Sequence, residues 1–195
     1  MGELRSAVDA LATLDLDELD NTALGELIVE VSGQRDRIDG VCHRLVAEHD
    51  QRLAWKADGA RSETQWLRDA CRLSPGEAAA RTNTARNLDL LPATAAALAD
   101  GTINAGQARV AAQAVRDLPS DAVAGLDQLV AEAGGQVDAG GLRGLVDDYA
   151  HAVAPDSLAA RQERAWNTRR LNATRTPDDG RSSRPNSTRS APRPS

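Results

Sequence analysis

Phenylalanine is absent from the 195 residues, Tyr149 is the only tyrosine, and Trp55, Trp66 and Trp166 complete an aromatic share of 2%. Sheets draw on aromatic and β-branched residues, so this poverty argues against a β-rich core. Cysteine is scarce as well, and the pair Cys42 and Cys71 cannot supply a disulfide framework. No apolar run approaches the roughly 20 residues that span a bilayer. Nor does the chain open on a charged start followed by an apolar stretch, so no secretory signal is visible, and the expected setting is cytoplasmic with no membrane partner.

Alanine fills the space those absences leave: it accounts for 36 residues in a chain that is 41% apolar. It is the strongest helix former because it gives up no side-chain entropy on ordering. The expected fold is all-α, a multi-helix domain with one long amphipathic N-terminal helix and a disordered basic C-terminal tail. Residues 1–19 read as a helical lead, 20–165 as the helical domain and 166–195 as the tail.

The net charge of −6 conceals an asymmetry. Residues 1–163 sum to −12 and residues 164–195 to +6. Arg, Ser, Thr and Pro make up 21 of those last 32 residues, a composition too poor in apolar surface to offset the entropy of ordering. Within the acidic part, residues 61–86 are locally +2. An acidic body repels nucleic acid, so any DNA contact has to use that segment or the tail.

From Leu24 the apolar positions Leu24, Val31, Ile38 and Leu45 recur every seven residues, with Leu27, Ile28, Val41 and Cys42 between them. The pattern predicts a helix from about Thr22 to Leu53. Gly25, Gly33 and Gly40 each weaken it by about 1 kcal/mol relative to Ala, so packing has to hold it, within the domain or in a homodimer. Ser62 with Gln65 predicts the next helix start, with Trp66, Leu67 and Ala70 as its buried stripe. Ser74-Pro75-Gly76-Glu77 is the sharpest local signal: an N-cap, a proline at the first helical position and a closing glutamate. That helix is expected to reach Leu90. Leu91-Pro92 opens a short helix that stops at Asp100-Gly101, and Asn104 with Gln107 caps one that ends at Pro119. Ser120 to Val130 and Asp138 to Val153 complete the series.

The histidines and cysteines give no metal-ligand spacing. Cys42 and His49 are seven residues apart, roughly 10 Å along a helix, whereas a shared zinc ion needs three or four residues. They read as a small buried cysteine and surface histidines, so no metal or other cofactor is expected. Asp147 and His151, four residues apart, fit an exposed ion pair better than an oriented base, because no nucleophile accompanies them. The glycines at 134–135 and 140–141 lack the strand and the Gly-Lys-Ser/Thr of a phosphate loop. No catalytic residue is expected. Arg72, Arg81, Arg86 and Arg109 lie near helix starts or on polar faces of the 61–116 block, where helix-turn-helix proteins hold DNA phosphates. They are the candidate nucleic-acid-binding residues, although arginines that offset neighbouring acids would give the same pattern.

The succession Asp58-Gly59-Ala60-Arg61-Ser62-Glu63-Thr64-Gln65-Trp66-Leu67, Leu73-Ser74-Pro75-Gly76-Glu77-Ala78, Leu91-Pro92-Ala93-Thr94 and Gly101-Thr102-Ile103-Asn104-Ala105-Gly106-Gln107-Ala108-Arg109-Val110 resembles the actinobacterial 13E12 repeat family. The likeness covers about residues 20–165. That family has a helical domain of unknown function that often precedes an HNH endonuclease domain. Gln107 departs from it, since histidine is more usual there. The stretch from Leu91 to Arg109 is also similar to part of the helix-turn-helix region of ParB-like partition proteins. An HNH site needs a histidine base and further metal ligands, and no histidine follows His151, so the resemblance carries over no catalytic residue. The abrupt change near Arg164 points to a truncated or frameshifted gene, which translating the downstream DNA in the other frames would test. The resemblance implies a non-catalytic module that positions DNA or a partner. The alternative is a dimerisation module paired through Leu24, Val31, Ile38 and Leu45.

Overall fold

Residues 2–155 are described by the structure, a computed structural model. Among them are eight α-helices and no strand: α1 (Gly2–Ala12), α2 (Asn21–Gln51), α3 (Glu63–Cys71), α4 (Pro75–Leu88), α5 (Pro92–Asp100), α6 (Ala105–Ala114), α7 (Val123–Ala133) and α8 (Ala139–Val153). The tail expected from residue 166, and the end of the expected domain beyond residue 155, lie outside the described residues.

Side-chain caps set most of the helix starts. Asp20, Ser62, Ser74 and Asp138 accept from the backbone N–H three residues on, at 2.8, 3.2, 3.2 and 2.7 Å. Asn104 and Gln107 close a reciprocal capping box. The box expected at Ser74 is half made, because the Glu77 carboxylate turns to Arg81 instead. At Ser62 the Gln65 side chain reaches one residue further back, accepting from Arg61 N–H at 3.1 Å. Gly101, at φ +88°, ends α5 in the left-handed region where a side chain would be strained.

Other boundaries shift from expectation. Helix α4 stops at Leu88 rather than Leu90, and the last turn before Pro119 tightens into a 3₁₀ segment, Val115–Asp117. Ser120 opens a 3₁₀ turn that leads into α7, which runs past Val130 to Ala133.

The core lies among α4 to α8. Leu91, Leu98, Ile103, Leu126, Val130 and Leu142 are fully buried, and Ala108, Ala111 and Ala112 on α6 are as closed to solvent. Alanine at these positions lets α4 and α8 approach α6 closely, which is how a chain without Phe fills its interior. Gly134 serves the same end, since a Cβ there would stand 2.4 Å from Ile103 Cγ2. The second half of α2 lies against α4 and α5: Gly40 faces Leu98, and Arg37 Nε donates to Ala99 O at 2.9 Å.

Two burial expectations are corrected. Ala70 is exposed, and the buried positions of α3 are Glu63 and Leu67, because the helix turns its first-turn glutamate inward to meet α2. Cys42 and Cys71 are exposed rather than buried, while His43 and His49 are partly covered by the elements packed on α2.

Gln107 explains how a polar residue occupies the α6 interface. Its side-chain oxygen accepts from Asn104 N–H at 2.8 Å, and its amide donates to Gly134 O at 2.6 Å and Val137 O at 2.7 Å. One residue thus caps α6 and ties down the turn before α8. A neutral histidine has one donor and one acceptor and cannot make all three bonds. Gln107→His is therefore expected to lower stability by about 1–2 kcal/mol, read as a lower urea midpoint at unchanged slope. An unchanged midpoint would show that the second carbonyl is satisfied without Gln107.

Candidate functional site

The four candidate arginines do not form one patch. Arg81 and Arg109 line a shared cavity of about 540 Å³ between α2, α3, α4 and α6. Arg86 points elsewhere, with Nε donating to Asp50 on α2 at 2.6 Å. Arg72 is the C-cap of α3, held in the left-handed region at φ 56°. Arg81 is itself paired with Glu77 at 3.2 Å, an i,i+4 contact along α4. Two of the four thus neutralise neighbouring carboxylates, and Asp39 and Glu77 stand in the cavity wall beside Arg81 and Arg109. A phosphate backbone would meet mixed charge there.

That cavity also holds Cys42, His43 and Cys71. Burial holds His43 below the ordinary imidazole range; Asp39 opposes this, and Arg109 and Arg81 add to it. Although the residue is exposed, the Cys42 thiol is pushed up, first by partial desolvation in the cavity wall and then by the Asp39 carboxylate. Among the described residues, no group of three His, Cys, Asp or Glu side chains is placed to hold a metal ion. His151 donates from Nδ1 to the Asp147 backbone carbonyl at 3.1 Å, so the expected side-chain pair is replaced by a bond within the helix.

A buried polar cluster joins α2 to α3. Glu63 is fully buried, and its Oε2 accepts from His49 Nδ1 at 2.7 Å. The His49 ring lies 4.1 Å from that of Trp66, whose Nε1 donates to Asp58 at 2.7 Å. Glu63 Oε1 and Trp55 Nε1 are buried without a partner among the described residues. The sequence pattern assigns Glu63 no role and places His49 on the surface; the one local hint is a Trp one turn after a cap.

The surface of α1 and α2 carries many exposed apolar side chains. None of the α1 residues is buried, and Leu4, Val8 and Leu11 are exposed along it. On α2, Ile28, Val31, Ile38, Val41 and Leu45 are exposed by 41–61%. Of the four heptad positions, only Leu24 is half-buried. The helix is thus held by packing of its second half on α4 and α5, while its heptad stripe stays open.

Among the described residues, these features define an all-α domain with an exposed apolar helical face and scattered, partly neutralised arginines. The chain belongs to the DUF222 family, described as a domain of unknown function, whose family model matches residues 26–185. No curated protein and no solved structure matches it. Among the described residues, no helix is long and apolar enough to cross a membrane.

Proposed function

We propose that the chain is a non-catalytic helical module of an HNH-endonuclease-associated protein, and that it positions a protein partner through the exposed face of α1 and α2. The observation that carries this reading is that stripe of Leu, Ile and Val side chains, since contiguous apolar surface rimmed by polar residues marks interaction sites. The nuclease association rests on the 13E12-like succession from Asp58 to Val110. The raised Cys42 thiol and the backbone-bonded His151 support the non-catalytic part.

DNA contact is the second reading, favoured by the convergence of Arg81 and Arg109 on one cavity. The two are separated by titrating DNA against salt with the full chain beside a chain ending at Glu163. For the shortened chain, no salt-dependent binding is expected, because its formal charge is −12. Tight binding by the shortened chain that falls steeply with salt and disappears in an Arg81→Ala/Arg109→Ala variant would replace the protein-docking reading with the DNA reading.

A further inference from the structure

We infer that the occupant of the α2 stripe is a second copy of the same chain, paired antiparallel about a two-fold axis near residues 34 and 35. The inference rests on the docking reading above and adds the partner and its orientation. Three observations carry it.

The first is the period. Leu24, Val31, Ile38 and Leu45 repeat every seven residues, the 3.5-residue seam on which two helices supercoil, whereas a helix covered by its own domain follows 3.6. The face of α2 covered by its own domain is different, marked by Arg37, Gly40 and Ala47.

The second is the symmetry of the set. Reflection about the point between residues 34 and 35 exchanges Leu24 with Leu45, Val31 with Ile38 and Ile28 with Val41, so each apolar side chain meets another across a two-fold axis. Parallel pairing would instead bring both domain bodies to one end. In the antiparallel arrangement Glu26 meets His43 and Glu30 meets Asp39, the helix dipoles oppose, and the bodies stand at opposite ends.

The third is supply. Residues 156–195 contain only Leu158, Trp166 and Leu171 as large apolar side chains, too few to cover the stripe from within the chain. On α2 the exposed side chains Ile28, Val31, Ile38, Val41 and Leu45 are free to meet a second copy, each exposed by 41–61%.

Sedimentation equilibrium of the full chain is expected to give twice the chain mass. Val31→Glu/Ile38→Glu is expected to return it to a single chain mass with an unchanged helical circular dichroism spectrum, because both positions are exposed in the single chain. Orientation is read in a Cys42→Ser/Cys71→Ser background by mixing a Leu24→Cys chain with a Leu45→Cys chain. Disulfides are expected between the two chains and not between two copies of the Leu24→Cys chain. A wild-type monomer, or a dimer indifferent to Val31→Glu/Ile38→Glu, overturns the inference, as does a 24–24 disulfide. None of these outcomes touches the docking reading, which stands or falls on the DNA titration.

Discussion

Asp127→Ala is expected to lower the stability of the domain by about 4 kcal/mol, a fall of roughly 8–16 °C in the melting midpoint of a chain this size. The residue stands on α7 and is almost fully buried, yet its carboxylate belongs to the start of α5. It accepts from Ala93 N–H at 2.9 Å, from Thr94 N–H at 2.7 Å and from the Thr94 hydroxyl at 2.7 Å. Helix α5 needs this help because its N-cap position is Leu91, which has no side-chain acceptor to offer. Pro92 follows and has no N–H, so the orphan donors of the first turn fall at Ala93 and Thr94. The positive end of the helix dipole adds to the attraction for a negative charge. Truncation would strand the two buried donors of Thr94 and the half-buried N–H of Ala93 at once. Asp127→Asn keeps one acceptor oxygen but presents an amide donor to another donor, so about half the loss is expected. Thermal unfolding followed by circular dichroism ranks the three proteins, and equal midpoints for wild type and Asp127→Ala would show that the first turn of α5 is capped by something else.

Asp127 also shows where the sequence stops being legible. Caps made within one turn were readable, because Ser62, Ser74, Asn104 and Asp138 act on an N–H three residues away. The seven-residue stripe on α2 was readable for the same reason: periodicity is local. Asp127 reaches α5 across 33 residues, and Gln107 reaches carbonyls 27 and 30 residues away; pattern rules contain nothing at that range. The only signal was negative, a lone acid in a run from Val123 to Val130 whose other polar side chain is Gln128. The arginines illustrate the converse. Arg86 looks free when residues 61–86 are counted alone, but its partner Asp50 lies on a helix that the count leaves out. A local excess of positive charge became a set of bonds between helices once the helices were packed.

Removing His49 is the second change with a large expected effect. Glu63 is fully buried, and of its two oxygens one meets His49 while the other has no partner among the described residues. A buried ion pair contributes little net stability compared with apolar residues of the same volume, but a buried carboxylate left alone is severely destabilising. His49→Ala is therefore expected to cost about 3–5 kcal/mol, with Trp66 also losing the ring stacked 4.1 Å away. Glu63→Leu should cost less, since His49 is partly exposed and can be solvated where it stands. The double change His49→Leu/Glu63→Leu is expected to recover most of what His49→Ala loses, because it removes the charge together with its partner. Urea unfolding followed by tryptophan fluorescence reads all three, and Trp66 reports directly on the cluster. A large non-additive term would establish that the pair fastens α3 to α2 at the junction from which the long helix extends. If His49→Ala instead cost less than about 1 kcal/mol, the carboxylate would have to be held by other groups, and Arg86, whose charge Glu63 already favours, is the one to remove next.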